Sequence, residues 1–331
     1  MSKLKITLAC GNYDRTRALM DGTVQPEGVE LNYLPTVPGE TFWRMLNNAE
    51  FDVSEMSLSS YSILRSRGDE RFIALPVFTS RIFRHSAIYI NLEAGIRVPA
   101  DLKGKRIGVG DYQMTAAVWA RGMLQDEYQV QPQDMYWVVG TAVQKVDLPA
   151  TVSITPARQD PPEQMLERGE IDALISVMLP RTLNQQSSKV RRLFPDYREV
   201  ETDYFRRTRI FPIMHTLVIR TELYQSCPWL AVSLHKAFVQ ARHASFQKLY
   251  NTDALYTSLP WQIDELETTL NLMGDEYWDY SIQGSMPTLQ ALTRYLYEQG
   301  LTSRQMQVEE LFVKNIQEGL DKYLHSTGED R

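Results

Sequence analysis

The sequence predicts an α/β protein of two lobes, each built on a mixed, mostly parallel sheet, with a ligand cleft between them. Three observations carry this. Apolar strand-like runs alternate with amphipathic helical stretches, the pattern of largely parallel sheets covered by helices on both faces. The 331 residues exceed one typical domain and suffice for two cores. Finally, "MLNNAEFDVSEMSLSS" (45–60) resembles "MLERGEIDALISVMLP" (165–180): a helix end, a few polar residues, Glu, an apolar residue, Asp and an apolar strand. Two lobes with this plan would turn equivalent strand ends, 57–60 and 178–181, toward a shared cleft, where open α/β sheets bind ligands. Helix–turn–strand units also look alike without being repeats.

The elements follow in order. "LKITLAC" (4–10) is a first strand, and "GNYDRTRALMDG" is the polar turn after it. "VELNYLPTV" (29–37) alternates as a second strand closed by Pro38 and Gly39. "GETFWRMLNN" carries Phe42, Trp43 and Leu46 at the spacing of a short amphipathic helix. "FDVSEMSL" and "RFIALPVF" are strands around the helix-compatible "SSYSILRSRGD". "KRIGVG", "MTAAVWARGMLQDEY" and "MYWVVG" then read as a βαβ unit. The Pro-rich, aperiodic "TAVQKVDLPATVSITPARQDPP" (141–162) reads as a loop, and "PPEQMLERG" restarts a helix at its prolines. "RIFPIMHTLVIR" (209–220) is a strand. "LAVSLHKAFVQARHASFQKLY", "LQALTRYLYEQGL" and "VEELFVKNIQEGLDKYL" are helices, and the tail "HSTGEDR" frays.

Composition excludes several functions. A net charge of −6 argues against a general nucleic-acid binder, which shows a basic face. It leaves room for a small basic pocket. Cys10 and Cys227 are the two cysteines, too few for a disulfide framework and without metal-ligand spacing. No His-x-His or His-Glu-x-x-His cluster occurs, so no metal site is expected. No run approaches the ~18 apolar residues of a membrane span. The start "MSKLKITLACGNYD" lacks a signal-peptide core, so the expected location is the cytoplasm. The oligomeric state is left open, a homo-oligomer included.

Chemistry-bearing residues gather at three places. "FTSRIFRHS" (78–86) sets Arg81, Arg84 and His85 at the carboxyl end of a strand, where a ligand site belongs. An arginine fork matches a carboxylate in a bidentate way, and two of them suit a dicarboxylate. A solvated loop with casual ion pairs is the plainer alternative. "GVGDYQMTAAVWARG" places Asp111, Tyr112, Gln113 and Thr115 at a helix amino terminus, whose free N–H groups attract anions. It has neither dinucleotide nor P-loop spacing, and an ordinary cap from Asp111 or Thr115 also explains it. His215 sits in the apolar "FPIMHTLVIR", either as a hydrogen-bonded core residue or as a proton donor tuned by burial. His235, His243 and His325 read as packing or surface residues.

"FTSRIFRHSAIYIN", "ADLKGKRIGVGDYQMTAAVWARGML", "RIFPIMHTLVIR" and "YLYEQGL" together resemble the 4,5-dihydroxyphthalate decarboxylase family. The resemblance runs in order along nearly the whole chain, and its specificity lies in the Arg-Phe-Arg-His-Ser and Pro-Ile-Met-His segments. It implies a fold similar to type II periplasmic solute-binding proteins. One lobe would be 1–91 with 213–331 and the other 92–212, with His215 at the hinge. One departure stands out: where the family has a Trp-Pro-Tyr-Gly-like segment, this chain reads "YWDYSIQGSM" (277–286). A loop that lines the pocket there would alter the substrate.

The resemblance implies removal of one carboxylate from a dihydroxylated aromatic dicarboxylate, with no organic cofactor. Arg81 and Arg84 would hold the carboxylates, with the helix end at 111–115 as a further anion contact. Ser57, Ser59 and Ser60 would bind the phenolic hydroxyls, unless they bond only their own backbone. The proton would come from His215 or His85, with His215 favoured by its apolar surroundings. Two other readings stand beside this one. A solute-binding protein would capture the carboxylate without turnover. A thiamine-pyrimidine synthase of the same fold would need a Cys-rich motif that two isolated cysteines do not supply.

Overall fold

A computed structural model describes residues 2–140, 148, 150–157, 160–181, 183, 189–314 and 316. Its strands are β1 (Leu4–Cys10), β2 (Val29–Pro35), β3 (Val53–Ser57), β4 (Phe72–Arg81), β5 (Ile88–Asn91), β6 (Arg106–Val109), β7 (Tyr136–Val139), β8 (Ser153–Pro156), β9 (Ala173–Ile175), β10 (Val190–Arg192) and β11 (Ile213–Arg220). Its helices are α1 (Arg17–Met20), α2 (Pro38–Asn48), α3 (Leu58–Ser66), α4 (Thr115–Tyr128), α5 (Pro162–Arg168), α6 (Tyr197–Thr208), α7 (Thr221–Ser226), α8 (Trp229–Leu249), α9 (Gln262–Met273) and α10 (Met286–Glu298).

The strands form two sheets, ordered β2-β1-β3-β11-β4 and β10-β5-β9-β6-β7-β8. Parallel pairs join β1 to β2 and β3, and β6 to β7 and β9. The strands flanking the two crossings enter antiparallel: β11 between β3 and β4, and β5 between β9 and β10. The repeat is visible as matching units. α2 and α5 each carry Pro in the first turn and end on a left-handed residue, Ala49 (φ 48°) and Gly169 (φ 72°), before β3 and β9. β3 is buried at every residue, which is why "VSEMS" shows no clean period-two alternation.

Three expectations change. β8 lies inside the stretch read as a loop and pairs parallel with β7 at the sheet edge, where a strand ending at Pro156 keeps its pairing. β5, read with the first lobe, belongs to the second sheet, so the chain crosses between Arg81 and Ile88. The helix expected from 308 is a single 3-10 turn at Val308–Glu310. Phe312 then pairs with Ala74 of β4, which anchors the chain in extended form. Residues 315 and 317–331 lie outside the described residues.

One core runs through both sheets around α4, where Trp119 and Tyr295 meet edge-to-face at 5.6 Å. A Cβ on Gly122 would lie 2.3 Å from the Tyr295 ring, so glycine is what lets α10 pack closely on α4. Arg121 Nε donates to Gln299 Oε1 at 2.8 Å and Tyr295 Oη to Asp126 at 2.6 Å. Among the described residues, no helix is long and apolar enough to cross a membrane.

Candidate active site

The sheet register of the first lobe assembles a buried pair. His215 opposes Ser57 and Leu217 opposes Glu55 across β11 and β3, so Glu55 and His215 are diagonal neighbours on one face, within side-chain reach. His215 Nδ1 lies 2.7 Å from Glu55 Oε1. Glu55 is fully buried, whereas the His215 side chain keeps 18% exposure. Donors surround the carboxylate: Gly11 N at 3.0 Å, Tyr13 Oη at 2.9 Å and Thr79 Oγ1 at 2.9 Å. Burial alone would raise its pKa, but the charge and hydrogen bond of His215, with Gly11 and Thr79, hold it down to about 2. The Phe42 ring meets the imidazole edge-on at 4.9 Å.

Glu55 was missed in the sequence reading. Its signal was present: a lone carboxylate inside an apolar strand must find a cation or several donors.

Arg81 and Arg84 come to one cleft of about 550 Å³. Its lining includes Ser176, Val177 and Leu179 beyond β9, Arg192 of β10, and Met273 and Tyr277 at the end of α9. Both arginines are more than nine-tenths buried, and neither forms an ion pair among the described residues. Burial pushes each guanidinium down to about 10. They differ in what they can still donate. Arg81 Nη2 gives to Asp279 O at 2.7 Å and Ser285 Oγ at 2.6 Å, while its Nε is buried without a partner. Nη2 belongs to both bidentate edges of the fork, so the fork geometry expected of Arg81 is taken by the loop. Arg84 gives only Nε, to Met214 Sδ at 3.2 Å, among the described residues. Its terminal edge is the open one. Met214 precedes His215 on β11, and because successive strand residues face opposite sides of a sheet, the Met214–Arg84 contact and the Glu55–His215 pair lie on opposite faces; His215 is not among the cleft-lining residues.

His85 is in a different place. It is 1% exposed, packed edge-on against Phe194 and Tyr204, with Nδ1 3.9 Å from Glu201. Burial, aided by Arg207, pushes its pKa down to about 4. A neutral imidazole enclosed by aromatic rings is a packing residue, and His85 is removed from the acid candidates. Glu201 instead accepts the Ser86 N–H at 2.9 Å and tightens the turn that carries Arg84.

The helix end at 111–115 is occupied by the other lobe. Thr115 Oγ1 meets Ser57 Oγ at 2.9 Å and the Ser59 N–H at 3.1 Å, and Ser59 Oγ donates to Gln113 O at 2.5 Å. Asp111 Oδ1 accepts the Gln113 N–H at 3.3 Å. Ser57 and Ser59 therefore join the lobes, and the Ser60 N–H donates to Ser57 Oγ at 3.4 Å as a local cap. Tyr112 points into the core, edge-on to Trp137 and 3.8 Å beneath the Arg121 guanidinium. It leaves the binding set. Gln113 Nε2 is buried without a protein partner.

The loop at 277–286 holds Arg81 through Asp279 O and Ser285 Oγ. Trp278 Nε1 donates to Phe78 O at 2.9 Å and sandwiches the Arg15 guanidinium with Tyr13, 4.3 Å from each ring. Within that loop Tyr277 lines the cleft itself.

No family model matches the chain. The 4,5-dihydroxyphthalate decarboxylase of Comamonas testosteroni is 40% identical over 320 residues, covering 94% of this chain and 97% of its own. The enzyme of the same name from Pseudomonas putida is 41% identical over 214 residues, covering 62% and 83%. Among solved structures, a periplasmic sulfonate-binding protein from Methylobacillus flagellatus has a TM-score of 0.57 at 12% identity, covering 99% of this chain and 96% of that one. The desulfurization enzyme DSZB has a TM-score of 0.52 at 13% identity, covering 97% and 100%. The structural likeness shows a two-lobed fold of the periplasmic-binding-protein type. The sequence likeness over almost the entire length shows more: the chain belongs to the 4,5-dihydroxyphthalate decarboxylase family.

Proposed function

We propose that this chain is a carboxy-lyase that converts 4,5-dihydroxyphthalate to 3,4-dihydroxybenzoate and carbon dioxide. Direct loss of carbon dioxide would leave an aryl anion whose lone pair lies in the ring plane and is not delocalised. The hydroxyl para to the leaving carboxylate offers a lower path. It donates electron density, the ipso carbon takes a proton, and the C–C bond to the carboxylate then breaks. That electron pair returns to the ring and restores aromaticity. The route asks for an acid beside the ring and a fixed orientation of both carboxylates. It requires no organic cofactor.

The observation that carries the assignment of the acid is the 2.7 Å contact between His215 Nδ1 and Glu55. With that nitrogen engaged, Nε2 is the one left for substrate. Arg84 takes a carboxylate on its open terminal edge, and Arg81 adds single donors from within the cleft. Closure of the lobes over the ring excludes water and strengthens these contacts.

The test is incubation of purified protein with 4,5-dihydroxyphthalate while carbon dioxide and 3,4-dihydroxybenzoate are followed. Stoichiometric release of both is expected. Saturable binding without either product would instead make the chain a carboxylate-binding protein.

A further inference from the structure

We propose that Glu55 is the positioning residue of the acid: it accepts Nδ1–H of His215 and thereby fixes Nε2 as the proton-delivering atom. This rests on the assignment of His215 as the acid.

The inference comes from counting donors. Each neighbour within hydrogen-bond reach of the Glu55 carboxylate has only a proton to give, or gives one here. From β1 and the turn after it come the Cys10 thiol at 3.7 Å, the Gly11 N–H at 3.0 Å and the Tyr13 hydroxyl at 2.9 Å. From β4 comes the Thr79 hydroxyl at 2.9 Å. Tyr33 on β2 spends its hydroxyl on Gly11 O at 2.7 Å. Burial raises the pKa values of Cys10, Tyr13 and Tyr33, so all three stay neutral donors. The nearby cation besides His215 is Arg15, whose Nε donates to Thr79 O at 2.8 Å and whose Nη1 pairs with Asp14 at 3.0 Å. α2 contributes only the Phe42 ring. An acceptor-only carboxylate in a cage of donors compels His215 to donate through Nδ1. The tautomer is thus set by the sheet register that makes Glu55 and His215 diagonal neighbours.

A glutamine in place of Glu55 keeps the shape, loses the charge and presents an N–H to a cage of donors. Glu55→Gln is expected to lower kcat roughly 100-fold with KM little changed. Glu55→Asp keeps the charge and the acceptor and is expected to work at an intermediate rate.

The decisive readout needs no variant of Glu55. Nitrogen-15 NMR of the unmodified protein, with the His215 signals identified by their loss in His215→Asn, should show the neutral ring carrying its proton on Nδ1. A ring in the Nε2–H tautomer, or one averaging both tautomers, overturns the proposal. So does a Glu55→Gln enzyme with the wild-type rate. Turnover surviving in His215→Asn is a separate result that removes the acid assignment, while the NMR still reports on Glu55.

Discussion

Ser57 Oγ lies 2.9 Å from Thr115 Oγ1, so the carboxyl end of β3 in one lobe is bonded to the first turn of α4 in the other. Thr115 Oγ1 also accepts the Ser59 N–H at 3.1 Å. The strand end at 57–60 and the helix start at 111–115, each a candidate binding element in the sequence, are in direct contact, and Ser57 and Thr115 are both buried.

Thr115→Val is therefore expected to cost more than Ser57→Ala. Valine leaves the Ser59 N–H buried without its acceptor, a loss of about 1–3 kcal/mol. Ser57→Ala leaves the bonds between Ser59 and Thr115 intact, and the N–H it deprives of an acceptor is that of Ser60, held by a longer 3.4 Å bond. Urea unfolding midpoints of the two variants check the order, and equal midpoints would show that this contact does not hold the lobes together.

The two cleft arginines are expected to separate by phenotype. Arg84→Ala should weaken binding of 4,5-dihydroxyphthalate by about 2 kcal/mol, the worth of a charge-assisted bond, with no loss of thermal stability. Arg81→Ala should lose affinity and stability together, because its guanidinium also holds Asp279 O and Ser285 Oγ. Calorimetric titration and thermal melts measure both. Normal affinity in both variants would move the binding site out of this cleft.

Stability should fall on acidification in two stages. His85 has a folded pKa depressed from 6.5 to about 4. Its neutral form is favoured by folding, so that stabilisation is full above pH 6.5 and is lost as pH falls toward 4. Glu55, depressed from 4.5 to about 2, adds a second loss between those values. Each loss is on the order of 3 kcal/mol. Melting temperatures between pH 7 and 4.5 should drop in the wild type and much less in His85→Asn. Parallel curves would mean that His85 is not buried as a neutral ring.

Much of this fold was legible in the chain because its elements carry local signals. Pro38 and Pro162 open helices, and the two helix–turn–strand units share a plan that the structure repeats. Arg81 and Arg84 were findable because charge at a strand end costs little to notice. Other parts depend on partners distant in sequence. "SITP" in β8 reads as loop without β7 beside it. His85 looks like a site residue until Phe194 and Tyr204 close over it. Tyr112 follows a glycine-flanked turn whose direction is decided by Trp137 and Arg121, distant in sequence. Glu55 becomes meaningful when the register of β3 and β11 sets it against His215.

The account stands most directly on His215 as the source of the proton. The measurement is turnover and ligand affinity of His215→Asn beside His85→Asn, with 4,5-dihydroxyphthalate as substrate. His215→Asn is expected to bind the compound as the wild type does and release no carbon dioxide, while His85→Asn continues to turn over. A His215→Asn protein that decarboxylates at a rate near the wild type would contradict it.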